Sequence, residues 1–173
     1  EARQIFSLIL IVTFVSGITI AILGIVFMKP LLGFLGATDA IYQYCRDYAF
    51  YLSLFFPCSV LSMVFQVFFI TAGKATLGMI INIASGFVNI IFDYILIKSI
   101  GIAGAAISTS MGFAVTTTLG LIYFSVNHKN VLYIVKPKMD GKALMNSCTN
   151  GESEMISNIS QSITLIVFNN VLI

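Results

Sequence analysis

Charge is scarce in this sequence. Asp, Glu, Lys and Arg together make up 9% of its 173 residues, against roughly 25% in a soluble domain. That shortage excludes an ordinary water-facing surface, and a formal net charge of +2 is too small to attract nucleic acid. Cysteine is nearly absent as well. Cys45, Cys58 and Cys148 stand far apart with no CxxC or Cys/His spacing, so neither a disulfide framework nor a metal site follows, and free thiols are expected. Also missing are the arrangements that carry covalent or hydrolytic chemistry. There is no HExxH, no P-loop and no Ser/His/Asp spacing, so neither an enzyme activity nor an organic cofactor is expected. "GIAGAA", Gly101 to Ala106, is glycine-rich but follows an apolar helical stretch, the wrong context for a dinucleotide fingerprint.

What fills the chain instead is hydrocarbon. Its residues are 58% hydrophobic and its mean hydropathy is +1.01. Long apolar stretches separated by short charged clusters predict an all-α polytopic membrane protein. The first span is expected from about Ile5 to Met28, ended by Lys29-Pro30. A connector with Gly33, Gly36, Asp39, Arg46 and Asp47 follows, in which "AIYQYCRDY" reads as a helical entry to the next span. The second span covers about Tyr48 to Ala72. Pro57 near its middle predicts a kink, with Ser53 or Ser59 helping to satisfy the freed backbone group. "TAGKAT", Thr71 to Thr76, reads as a tight polar turn, with a third span from Ala75 to Ile97 and a fourth from Ile102 to Val126. A polar connector comes next, and a fifth span starts near Met155 and is cut off at Ile173. The expectation is four full spans and a truncated fifth, in an internal piece of a longer protein without a signal-peptide pattern.

Lysine and arginine suggest an orientation. With alternating spans, one side receives Arg3, Lys74, Lys129, Lys136, Lys138 and Lys142, and the other Lys29, Arg46 and Lys98. That excess places the 127–154 connector and the Gly73-Lys74 turn in the cytoplasm. His128 and the connector lysines read as a solvated linker.

The polar residues inside the spans carry the functional signal. Gly78, Asn82, Ser85/Gly86, Asn89 and Asp93 recur at helical spacing in the third span, so one face of an otherwise Ile/Phe/Val helix is small or polar. Asp93 is the only acidic residue within a long apolar segment. Such a face must point at protein or water, and a bare carboxylate there is costly without a cation or hydrogen-bond donors. Asn89 is its i,i+4 neighbour, within reach of a direct hydrogen bond. A carboxyl that trades a proton or metal cation is what a coupled transporter needs; the plainer alternative is a side chain reaching interfacial water or Lys98. In the fourth span Gly104, Ser108, Gly112, Thr116 and Gly120 form a small-xxx-small ladder, which suits close helix packing. Ser108, Thr109 and Ser110 add hydroxyls that could join Asp93. Gln66 is the lone amide of the second span, and Met63, Phe87 and Met111 belong to a Met- and Phe-rich inventory that suits a cavity for greasy, varied ligands. The fifth span is polar for a membrane helix.

These residues resemble a known family. Gly73-Lys74, Gly78, Asn89-x3-Asp93 and Gly101-Ile-Ala-Gly-Ala-Ala-Ile-Ser-Thr109 look like the signature across the fifth and sixth helices of the multidrug and toxic compound extrusion (MATE) transporters. "EARQIFSLIL" is similar to that family's third helix, and "NGESEMISNISQSITLIVFNN" to the start of its seventh in the bacterial multidrug branch. The resemblance implies part of a twelve-helix, two-lobe bundle. Residues 1–126 would hold helices three to six of the N-terminal lobe, 127–150 the cytoplasmic inter-lobe linker, and 151–173 the start of the C-terminal lobe. It implies drug efflux by antiport with Na⁺ or H⁺, through alternating access, in the plasma membrane. Asp93 and Asn89, with Gln66 and Thr109, would form a cation-responsive network, with Na⁺ possible near Asp93. Asn82, Met63, Phe87 and Met111 would line the cavity for amphiphilic, often cationic small molecules. Two departures stand out. Gln66 occupies a position that commonly holds asparagine, and the helix-one aspartate of the family network lies outside this sequence. The family's alternative acid on helix seven is not carried over to Glu152 or Glu154. Two other readings remain open. A flippase for lipid-linked saccharides would favour arginines within the spans, which are absent here. A non-transporting assembly or sensor module would leave the buried charge replaceable.

Overall fold

The computed structural model describes residues 2–36, 38, 41–126, 132–137 and 141–172. Seven helices occupy them: α1 (Ala2–Val26), α2 (Met28–Phe34), α3 (Tyr42–Leu54), α4 (Phe56–Thr71), α5 (Ala75–Ile100), α6 (Ile102–Val126) and α7 (Gly141–Leu172). No strand occurs among the described residues. In hydrocarbon a backbone group has no water to bond, so helices that close their own hydrogen bonds are the form these apolar runs must take. α1, α5 and α6 are each long and apolar enough to cross a membrane, and α3 and α4 are so as a pair. The outward faces agree: Val26, Ile70 and Ile90 are 67%, 66% and 64% exposed, a surface that only lipid or further protein would cover.

Both prolines inside the apolar part act at helix starts. The expectation that Lys29-Pro30 ends the first helical stretch gives way to a break at Phe27, after which α2 resumes. Pro30 then lies in the first turn of α2, where its missing N–H would have had no intrahelical partner. Pro57 sits likewise in the first turn of α4, and the expected kink is a break of 54° between α3 and α4. Just past this break Thr117 of α6 donates to the Cys58 carbonyl at 2.8 Å, tying α6 to the first turn of α4. Opposite the break, a Cβ on Gly17 of α1 would sit 3.0 Å from Pro57 Cα, so α1 and the start of α4 are in backbone contact.

The most extensive helix contact is the antiparallel pair α5 and α6. Gly101 turns the chain between them with φ 65 and ψ −141, a combination open to glycine and strained for any other residue. The small-residue ladder of α6 makes the close approach possible: Gly104, Ser108, Gly112, Thr116 and Gly120 are all buried. Its first rungs meet α5, where a Cβ on Gly104 would collide with the Leu96 carbonyl, and its last rung meets α4, where one on Gly120 would fall 2.6 Å from Phe65 Cγ.

An aromatic cluster closes one end of the bundle. Phe6 of α1, Phe65 and Phe69 of α4 and Phe124 of α6 are all at most 1% exposed, with Phe65 stacked on Phe124 at 5.8 Å and Phe6 against the edge of Phe68 at 4.6 Å. Residues 132–137, outside any helix, lie against this end. Leu132 is buried in the cluster and Ile134 packs against it. Ile134 N–H donates to the Phe124 carbonyl at 3.0 Å, one of the carbonyls that the end of α6 leaves open, and Val135 N–H donates to Ser7 Oγ at 2.8 Å. Arg3 lies over the Tyr133 ring at 4.2 Å and donates to its hydroxyl at 3.0 Å. Part of the expected linker is therefore docked against α1 and α6. A second part, expected to be connector as far as residue 150, is helical from Gly141. Ala143, Leu144 and Met145 favour helix and no proline follows Pro137. His128, Lys129, Lys138 and Asp39 lie outside the described residues.

Candidate functional site

The polar stripe of α5 faces two different helices in turn. At its first turns it meets α4: Gly78 lies against Phe69, where a Cβ would approach to 2.9 Å, and Gln66 Nε2 donates to Asn82 Oδ1 at 3.4 Å. Farther along it meets α6. Ser85 Oγ donates to the Gly112 carbonyl at 2.6 Å, Asn89 Nδ2 donates to Thr109 Oγ1 at 3.4 Å, and Ser108 Oγ donates to Asp93 Oδ1. The order follows from antiparallel packing, since each step up α5 meets a step down α6. Close approach at Gly104 brings Ser108, one turn on, against the Asp93 level.

Five of the residues singled out in the sequence thus fall along one seam. Asn89 and Thr109 touch, Gln66 and Asn82 touch, and Asp93 lies one turn beyond Asn89. The expected direct bond from Asn89 to Asp93 is replaced by bonds from each across to α6. Lys98 is exposed, and among the described residues it makes no ion pair with Asp93. α4 and α6 carry no charged side chain, and Lys98 is the only other charge on α5. Hydroxyl and amide dipoles are therefore what this segment supplies to the carboxyl.

Two grooves open along the seam and share Asn82. One of about 450 Å³ is lined by Gln66, Thr76, Gly78, Met79 and Asn82 among others. The other, about 220 Å³, runs past Asn82, Gly86, Asn89, Thr109 and Phe113. Of the proposed cavity residues only Asn82 lies here. Met111 lines a separate apolar groove with Val88 and Phe92, because on α6 it points well away from Thr109 and Gly112. Met63 and Phe87 are 60% and 62% exposed and line none of these grooves. Among the described residues no three His, Cys, Asp or Glu side chains gather as a metal site. The oxygens of Asp93, Asn89, Thr109 and Ser108 are nonetheless the hard donors that suit an alkali or alkaline-earth cation.

The residue spacing offered Ser108, Thr109 and Ser110 as possible partners of Asp93, and the family resemblance favoured Thr109. The structure separates them: Thr109 takes Asn89, Ser110 turns back to the Ala106 carbonyl at 2.7 Å, and Ser108 takes Asp93. The bond from Thr117 to Cys58 was unforeseen, since nothing in the spacing links positions on α4 and α6.

Comparison with known proteins accords with this arrangement. The chain is 29% identical over 147 residues to the multidrug export protein MepA of Staphylococcus haemolyticus, covering 84% of this chain and 32% of that protein. It is 29% identical over 135 residues to a FAD transporter of Shewanella oneidensis, covering 75% of this chain and 30% of that one. The chain thus spans about a third of the length of these curated relatives. Its fold matches an inward-facing multidrug resistance MATE family transporter of the MOP superfamily with a TM-score of 0.89 at 22% identity, over 95% of this chain and 38% of that one. The MatE family model matches residues 1–95, more than half of the sequence, and the protein accordingly belongs to the MatE family.

Proposed function

We propose that this chain is part of a secondary active multidrug efflux transporter that exchanges drug for Na⁺ or H⁺ by alternating access. The observation that carries this reading is Asp93, a carboxyl set in an apolar helix and bonded across to α6. Asn89 and Thr109, one turn from it on the seam, are an amide and a hydroxyl that can receive a cation or reorient when one leaves, and Gln66 stands three turns farther along against Asn82. Among the described residues the carboxyl meets neutral dipoles, so a coupling cation would supply the positive partner that this segment does not. Coupling follows if drug and cation favour opposite arrangements of the seam, since each ligand shifts a two-state equilibrium by its differential affinity.

The grooves that meet at Asn82 would form one wall of the drug path, with the remaining wall supplied by the rest of the transporter. Substrates would be amphiphilic, often cationic small molecules. Residues 1–126 would belong to one lobe. The end of the bundle that gathers Arg3, Lys74 and Lys136 would face the cytoplasm, in a plasma membrane. Arg3 and Arg46 stand near the starts of α1 and α3 and no arginine lies deeper in the spans, which argues against a lipid-linked saccharide as cargo.

Asp93→Asn in the complete protein tests the reading, with drug efflux from proteoliposomes followed under separate Na⁺ and pH gradients. Cation-driven efflux is expected to be lost while the protein still inserts and folds. Efflux and drug resistance equal to wild type would refute it.

A further inference from the structure

Ser108 has more hydrogen-bond partners than it has protons. It is fully buried, at 0% exposure. Its hydroxyl oxygen lies 2.8 Å from the Gly104 carbonyl and 3.2 Å from the Ala105 carbonyl, and also reaches Asp93 Oδ1. A serine hydroxyl donates once and accepts twice, so only one of these acceptors can hold its proton at a time.

We propose that Ser108 is a positioning residue for Asp93, a hydroxyl that turns its single proton between the Asp93 carboxylate and the Gly104 carbonyl of its own helix. The proposal rests on the cation-responsive reading of Asp93. With Asp93 ionised, the Ser108 proton points at the carboxylate, since a bond to an ionised acceptor is the stronger choice. When Asp93 takes up a proton from water, its own O–H donates to Ser108 Oγ, and the serine proton turns back to Gly104. When a metal cation sits on the carboxylate, the same turn frees the Oγ lone pairs to face it. No buried group is orphaned in any of these states, so the change costs little.

Neither neighbouring hydroxyl is placed for this. Thr109 is engaged by Asn89 and Ser110 by the Ala106 carbonyl. Distance is held by the rung before it, because the Gly104 approach to Leu96 leaves no room for the helices to drift closer. Charge does not compete either. α4 and α6 contribute none, and Lys98 on α5 makes no ion pair with Asp93.

The test compares Ser108→Ala and Ser108→Thr in the complete protein, each alone and combined with Asp93→Asn. Cation-driven efflux and thermal unfolding are both measured. Ser108→Ala is expected to lower turnover about tenfold, the scale of one hydrogen bond to a charged group, with the drug KM unchanged. Ser108→Thr keeps the hydroxyl and is expected to restore most of the turnover. The loss of unfolding temperature caused by Ser108→Ala should shrink or vanish in the Asp93→Asn background, the signature of two coupled groups. An equal loss in both backgrounds, or a raised KM with unchanged turnover, would reduce Ser108 to packing and overturn the proposal. Wild-type behaviour of Ser108→Ala beside an inactive Asp93→Asn would overturn it too, leaving the reading of Asp93 intact. If Asp93→Asn is itself silent, both fall.

Discussion

Gly104→Ala tests the tightest of the glycine contacts among the described residues. The added methyl would lie 2.5 Å from the Leu96 carbonyl oxygen and 2.7 Å from Ile97 N. These are backbone atoms, which cannot swing aside as a side chain would, so α5 and α6 must part. Gly86→Ala in α5 supplies the comparison, because nothing lies within 4 Å of its Cβ position. Gly86 lies mid-helix, where alanine gains up to about 1 kcal/mol of helix propensity, and Gly104 in the first turn of α6, where it gains less. The overpacking cost at Gly104, about 1–3 kcal/mol, widens that difference. Gly112→Ala should fall between, since its nearest neighbour is the Ser85 hydroxyl at 3.2 Å, which can yield by a few tenths of an ångström. Unfolding of the purified complete protein in mixed micelles reads this order directly. The expected ranking is Gly86→Ala at or above wild type, Gly112→Ala slightly below, and Gly104→Ala lowest. Equal stability of the Gly104 and Gly86 variants would refute the packing argument, and with it the placement of Ser108 against Asp93.

Two further expectations follow from single contacts. Thr117→Val removes the donor to the Cys58 carbonyl while keeping the shape, and should cost about 0.6–1.7 kcal/mol, the range for interhelical hydrogen bonds in membranes; unfolding in micelles checks it, and no loss would mean the α4 break does not need this partner. Ser7→Ala removes the acceptor for Val135 N–H, a loss of about 0.5–1.5 kcal/mol, and hydrogen exchange should show residues 132–137 less protected while α5 is unchanged.

Hydropathy and helical period depend on each helix alone, and they were legible. The first four spans, the polar stripe of α5 and the small-residue ladder of α6 stand in the structure near their expected bounds. The fifth span, expected from about Met155, falls inside α7, which is not among the described helices apolar enough to cross a membrane. Helix ends were less so. Lys29-Pro30 reads as a terminator, yet a proline in a first turn costs nothing, and only the break at Phe27 shows which case holds. The connector looked solvated because Lys136 and Lys138 stand out, while Leu132 and Ile134 gave too short an alternation to mark a docked segment.

Composition and spacing by themselves determined that this is a helical membrane protein, and that Asp93 must meet protein, water or a cation. Partnership was decided only by the tertiary structure. A periodic face names a direction around one helix and says nothing about which neighbour lies there or at what height. Those depend on crossing and register, set here by the glycine contacts at Leu96 and Phe65 and by the turn at Gly101. That geometry divided one stripe between α4 and α6, chose Ser108 over its two neighbouring hydroxyls, and sent Met111 to a different groove from Asn82.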